Sequence, residues 1–252
     1  MSDRERRSTA SPGFLSQGTV DLYGGSDPRN IPTYSIGDAA RYLRIPSSTI
    51  RSWTIGYSYP VKDGSSFFHP LINLPLGKER PYLLSFTNLV EVHVLRAIRV
   101  GHKIQLNRVR EALDFIDEQF KVPHPLAKED FRTNGVDLFI ERYGELINAS
   151  SGGKEELKEA LNAHLERIEP DDSGLAIKLY PFTRSDEIDN PRLVVIDPRI
   201  AFGRLAIAGT GIATNVLKER YKAGDSIEEL AFDYDCDRLS IEEAIRCELS
   251  AA

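Results

Sequence analysis

Cysteine is nearly missing from this 252-residue chain, which holds only Cys236 and Cys247. Standing eleven positions apart, they give neither the spacing of a zinc site nor a disulfide framework, and a reducing cytoplasm is the plain inference. No apolar run is long enough to span a bilayer, so no membrane partner is expected. The N-terminal stretch MSDRERRSTASPGF is charged and carries no apolar core, which argues against a secretory signal. No internal repeat of solenoid period is present.

Catalytic constellations are equally sparse. The five histidines, His69, His93, His102, His124 and His164, share no ligand spacing. Glu91 and His93 stand two apart on a helix and so face different directions. Gly209-Thr210-Gly211 lacks the lysine and length of a phosphate loop. The acidic run Asp233–Asp237 lacks the glycine and terminal glutamate of a calcium loop and reads as a solvated turn. No enzyme activity, metal or cofactor is expected.

What is present is an ordinary apolar fraction, 41%, enough for a buried core, and an uneven charge. Residues 1–125 hold 16 Lys+Arg against 12 Asp+Glu, a net of +4, and residues 126–252 hold 16 against 26, a net of −10; together they give the −6 of the whole chain. A mildly basic front and a strongly acidic back imply two kinds of partner.

Four segments follow from pattern. Residues 1–33, rich in Ser, Gly, Pro, Arg and Asp without periodicity, read either as a disordered arm or as a basic arm touching DNA through Arg4, Arg6 and Arg7. Residues 34–125 open with YSIGDAARYLRIPSSTIRSW. Ser35 caps a first helix with Asp38 in its first turn, and Ile36, Ala39, Ala40 and Leu43 make its buried stripe. Ile45-Pro46 breaks it. A second helix begins near Ser47, buries Ile50 and Trp53, and turns Ser48, Arg51 and Ser52 to solvent. Residues 57–86 read as strands around a loop, with turns at Asp63-Gly64 and Leu76-Gly77. Thr87-Asn88 opens a third helix that Gly101 ends, and a fourth carries Leu106, Val109, Leu113, Ile116 and Phe120 as a short heptad-like seam.

Residues 126–190 form a middle α/β segment: a hairpin over 136–148, a break at Gly152-Gly153, a charged helix over 154–168 and a strand over 174–182. Residues 191–252 read as short strands with glycine turns, then a helix over 214–222, then two helices opened by capping boxes at Ser226/Glu229 and Ser240/Glu243. The expected fold class is therefore α+β and mainly helical, with a β-wing after the first helix pair and a C-terminal helix-turn-helix bearing a short β-hairpin.

The order helix, turn, helix, wing, helix, seam helix resembles the MerR-type winged helix over about 34–120, best in Tyr34-Ser-Ile-Gly-Asp-Ala-Ala and Thr49-Ile-Arg-Ser-Trp53. The resemblance implies DNA contacts from Arg51, the aromatic Trp53 and wing residues Lys78 or Arg80, although the spacing of Trp53 to Ile50 favours a core position for it. Ser47, Ser48, Thr49 and Ser52 are short enough to let the helix approach the duplex, and arginine suits guanine or phosphate. Trp53 is read as core. The chain departs from that family in having Pro46 where a Ser/Thr cap is usual, and in a longer wing.

The back unit resembles the small domain of unknown function of VapB-type antitoxins, through Ile196-Asp-Pro-x-Ile200, Gly203, Ile207-Ala-Gly-Thr-Gly-Ile212 and Gly224-Asp-Ser-Ile-Glu-Glu-Leu-Ala231. Leu205 and Gly211 replace that family's proline and arginine. The two halves together resemble VapB-like antitoxins with an N-terminal DNA-binding domain. The resemblance implies a cytoplasmic homodimer that binds its own operator DNA and masks a PIN-like ribonuclease toxin. Glu242, Glu243 and Glu248 on the last helix are the candidate toxin contacts, since so many carboxylates would repel a duplex and suit a basic protein. Helix 154–168 with Glu155, Glu156 and Glu159 is the alternative. Pairing is expected through the Leu106–Phe120 seam or, if that seam packs within one protomer, through the C-terminal unit. The rival reading is a stand-alone MerR-like regulator with a ligand-sensing middle segment.

Overall fold

The computed structural model describes residues 24–62, 64–77, 79–99, 106–184 and 190–249. The chain is α+β and mainly helical. Strand β1 (Tyr34–Ser35) leads into helix α1 (Ile36–Leu43), whose start is fixed by a reciprocal cap. The Asp38 amide donates to Ser35 Oγ at 3.0 Å and the Ser35 amide to Asp38 Oδ2 at 3.3 Å. Ile36, Ala39, Tyr42 and Leu43 are buried. Arg44 ends the helix in the left-handed region, φ 53°, and Pro46 stands at the head of α2 (Ser47–Thr54) without a side-chain cap. Ile50, Trp53 and Thr54 of α2 are buried.

Strands β2 (Tyr57–Val61) and β3 (Gly64–Phe68) form an antiparallel hairpin, and β4 (Leu83–Leu84) pairs with β1. Reciprocal bonds between Ser85 and Asn88, both 3.2 Å, open α3 (Phe86–Arg99). Its expected end at Gly101 lies outside the described residues. Helix α4 (Leu106–Phe120) buries Val109, Ala112, Leu113 and Ile116, with Leu106 and Phe120 packed on the same core. The seam read as a dimer stripe is therefore spent inside the protomer, and this face is not open to a second copy.

In the middle segment the expected hairpin is a helix, α5 (Val136–Leu146). Val136, Phe139, Ile140 and Tyr143 are buried, and their steps of three, four and seven define one helical stripe. The alternation of Val136, Leu138 and Ile140 is incidental, since Leu138 is exposed. Helix α6 (Ser151–Leu165) starts at its Ser150 cap and runs straight through Gly152-Gly153, so the expected break lies within its first turn. Strands β5 (Ile168–Pro170), β6 (Ala176–Leu179), β7 (Val194–Ile196) and β8 (Leu205–Ile207) make one antiparallel sheet in chain order. Two strands come from each side of residue 190, so the middle and C-terminal segments share a sheet.

Helices α7 (Thr214–Ala223), α8 (Ile227–Asp233) and α9 (Arg238–Leu249) close the chain. The Ser226/Glu229 capping box forms as expected. The second box does not: α9 starts earlier, and Asp237 takes the cap by accepting from the Ser240 amide at 2.9 Å. A small core of Ile207, Leu217, Leu230, Ile241, Ala244 and Ile245 sits under these helices. The main core runs from Tyr34 through the middle segment to Leu205 and Cys247.

Two ties bind the first elements of the front to the C-terminal unit. Tyr34 Oη donates to the Gly203 carbonyl at 2.8 Å, and Arg41 of α1 pairs with Glu248 of α9 at 2.5 Å. The described end of the N-terminal segment is also tied down. Arg29 reaches Asp171 at 2.5 Å, and Thr87 Oγ1 donates to Asn30 Oδ1 at 3.1 Å, so residues 27–33 pack on the body. Arg4, Arg6 and Arg7 lie outside the described residues.

Candidate nucleic-acid interface

Helix α2 presents a clean polar face. Ser47, Ser48 and Arg51 are exposed, and Thr49 and Ser52 are half-buried beside them. Trp53, 2% exposed, lies beneath as core, as expected from its spacing to Ile50. Its carbonyl accepts from the Leu71 and Ile72 amides at 2.7 and 3.0 Å, which pins the end of α2 to the segment after the hairpin. From the other side, Arg96 of α3 donates to the Leu43 carbonyl at 3.1 Å and holds the turn between the two helices. Arg51 is engaged by no carboxylate among the described residues. A planar cation on a rigid helix between short hydroxyl side chains can reach phosphate or a guanine edge.

The β2–β3 hairpin follows at once, through Gly56 at φ +81°. A Cβ there would stand 2.1 Å from the Phe68 carbonyl oxygen, so only glycine allows the chain to turn this close to the returning strand. All of β2 is exposed. Tyr57 stacks on Phe68 with centroids 5.4 Å apart and leans on Tyr59 at 6.1 Å. Arg110 of α4 clips the base of the hairpin: it covers the Phe68 ring at 4.9 Å and donates to the Pro70 carbonyl at 3.0 Å and to the His69 carbonyl. Lys62, exposed beside the hairpin turn, is not among the residues expected from sequence; the Asp63-Gly64 turn signal is its marker there. Arg80 is exposed with its guanidinium 5.6 Å from the Tyr82 ring, and Lys78 lies outside the described residues.

The three acidic candidates separate. Glu242 is half-buried and bonded to Arg238 at 2.7 Å. Glu243 is only 1% exposed and accepts from Arg184 Nη2 at 3.0 Å. Burial would push its carboxyl up, but the bonds from Arg184 and Thr183 and the charges of Arg184 and Arg246 carry it below its usual range. Glu248, with a side chain 2% exposed, pairs with Arg41 and Lys218 and accepts from Thr214 Oγ1 at 2.7 Å. Two of the three carboxylates thus point into the protomer, each meeting internal cations. They hold α9 in place and offer nothing to a partner. Helical phase explains it: Glu248 stands seven residues beyond the buried Ile241 and shares its face.

Between α3 and α6 lies a buried imidazole pair. His93 Nε2 donates to the His164 carbonyl at 3.0 Å, and His164 Nδ1 donates to the Ala160 carbonyl at 2.9 Å. The rings are 4.9 Å apart, and Phe182 packs on both. Burial keeps both neutral, with His93 well below the usual histidine value and His164 lowered to about 4. Among the described residues, no group of three or more His, Cys, Asp or Glu could hold a metal ion, and no helix is long and apolar enough to cross a membrane.

Comparison with known proteins places this geometry. Residues 32–113 match a family model described as "Putative DNA-binding HTH domain", and residues 194–246 match "Protein of unknown function (DUF433)". The front unit is thus similar to a class of helix-turn-helix domains. Over 222 residues the chain is 29% identical to a Mycobacterium tuberculosis (strain ATCC 25618 / H37Rv) protein named "Putative antitoxin VapB45", covering 81% of this chain and 89% of that protein. It is 22% identical over 235 residues to "Uncharacterized protein Rv2308" of the same organism, covering 84% and 88%. The X-ray crystal structure of Rv2018 from Mycobacterium tuberculosis shares the fold, with a TM-score of 0.61 at 24% identity over 86% of this chain and 98% of that one.

Proposed function

We propose that this chain is the antitoxin of a toxin–antitoxin pair: a cytoplasmic, non-enzymatic homodimer that binds the DNA upstream of its own gene and masks a PIN-like ribonuclease toxin. In this reading α2 enters the major groove, Arg51 contacts a base edge or phosphate, and the β2–β3 hairpin acts as a MerR-like wing with Lys62 and Arg80 on the flanking backbone. Ser47, Ser48, Thr49 and Ser52 allow the approach. The observation that carries it is the exposed Arg51, engaged by no carboxylate among the described residues, on a helix pinned from below by Trp53, within a segment that matches a helix-turn-helix model. The similarity to the protein named "Putative antitoxin VapB45" supports the toxin half of the proposal.

The rival, a ligand-sensing middle segment, has one observation in its favour: a cavity of about 260 Å³ lined by Glu91, Asp117, His124 and Leu126 where the middle segment meets α3 and α4, beside a smaller one of about 20 Å³ at Leu126, Ala127 and Ile168. The test has two arms. Purified full-length protein should retard its own upstream DNA at low salt, and its expression should restore growth when the product of the neighbouring gene is induced. Retardation without rescue, with no association between the two products, would favour a stand-alone regulator.

A further inference from the structure

Resting on that antitoxin reading, we propose that the toxin docks on the acidic surface around the α8–α9 turn, with Phe232 and Leu239 as its apolar anchors. Phe232 is 87% exposed and Leu239 65% exposed, on elements whose opposite sides carry the fully buried Leu230 and Ile241. They flank the turn over residues 234–237. On α9 the outward positions Leu239, Glu242, Arg246 and Leu249 recur at steps of three and four, so one continuous face opposes the Ile241, Ala244, Ile245 side. The turn is held: the Tyr234 amide donates to the Leu230 carbonyl and the Cys236 amide to the Ala231 carbonyl, both at 3.0 Å, and Asp237 caps α9. Anchors on a fixed scaffold lose little freedom on binding.

Charge selects the occupant. Six carboxylates, Glu228, Glu229, Asp233, Asp235, Asp237 and Glu242, surround the turn against three cations, Arg238, Arg246 and Arg220, which pairs with Asp233 at 2.6 Å, a net of −3. Arg238 is already engaged by Glu228 and Glu242. A duplex would be repelled. A second copy of this chain in a two-fold contact would set the same acidic surface against itself. A basic protein with an apolar recess fits both features, and a ribonuclease must present Lys and Arg where RNA phosphates bind. Docking here would cover that cationic surface. This site replaces Glu243 and Glu248, which are internal, and retains Glu242.

The test uses the full chain co-expressed with the tagged product of the neighbouring gene. Wild type should co-purify with it and restore growth. Phe232→Ser with Leu239→Ser should weaken the association roughly thirtyfold or more and abolish rescue. Both positions are exposed, so its melting temperature and its binding to upstream DNA should match wild type. Asp235→Lys with Glu242→Lys should weaken the association too, most at low salt. Association of either double variant at wild-type strength would overturn this placement while leaving the antitoxin reading intact. So would a change of oligomeric state by sedimentation with toxin binding preserved, which would mark the surface as a self-interface. Failure of wild type itself to associate would remove the antitoxin reading, and this inference with it.

Discussion

Arg51 is the side chain on which the DNA-binding proposal turns. Arg51→Ala is expected to cost about 1–3 kcal/mol in affinity for the upstream DNA while leaving thermal stability within about 0.5 kcal/mol, because the side chain is exposed and engaged by no carboxylate among the described residues. Titration by fluorescence anisotropy and a melting curve check the two halves. Gly203 makes the opposite case. It sits at φ +72°, and an added Cβ would stand 2.3 Å from Tyr34 Oη, the atom that ties β1 to the loop before β8. Gly203→Ala should destabilise the fold by about 1–3 kcal/mol in denaturant titration. Gly209→Ala, at a similar φ of +77° but with open space around it, should cost less. Single-residue roles were legible where helical phase is short and strong. The cap at Ser35, the burial of Ile50 and Trp53 and the exposure of Arg51 followed from spacing alone. Charge without phase misled at Glu243 and Glu248, because a carboxylate in sequence does not announce the arginine that will meet it from another element.

At the scale of elements, the same lesson separates α1–α2 from α5. The first pair has a cap, a breaker and an apolar stripe that agree. In α5, residues 136–140 satisfy both a two-residue and a three-to-four-residue period, and only tertiary packing on α4 and α6 decides between them. The four-stranded sheet was legible at β6 and in its β7–β8 half and hidden at β5, three residues long with proline at its end. Two ties between elements make predictions. Glu248 joins α9 to α1, so Arg41→Ala leaves a buried carboxylate with weaker partners and should cost about 2–4 kcal/mol in denaturant titration. The His93–His164 pair joins α3 to α6 and sets an acid limit. Above about pH 6.5 both imidazoles are neutral whether folded or unfolded. Below it the unfolded chain takes up protons that the folded chain refuses, down to about pH 4 for His164. The unfolded state binds more protons, so stability falls as pH drops through that window, by on the order of 3 kcal/mol from His164 alone. His124 acts the other way: its bond to Glu91 raises it, so its contribution is present below its ordinary value and fades as pH rises through the raised one. Melts at pH 7.5 and 5 should show a steep acid loss in wild type and a flatter one in His164→Leu.

For the whole molecule, the net charge of −6 conceals a split between a front of +4 and a back of −10. The division is electrical more than mechanical, because the main core is continuous across it. A fragment beginning at residue 126 would strip α5 and α6 of α3 and α4 and expose the faces of Phe131, Phe139 and Tyr143. It is expected to show no cooperative melt by circular dichroism. The central claim is that the basic front, led by α2, binds the DNA upstream of this protein's own gene in spite of the acidic total. A salt series with wild type and Arg51→Ala on that DNA tests it most directly. Wild type should be retained at low salt, log affinity should fall linearly with log salt, and Arg51→Ala should lose roughly fivefold to 150-fold. A folded wild type that fails to bind at low salt, or an Arg51→Ala variant that binds equally well, would contradict it.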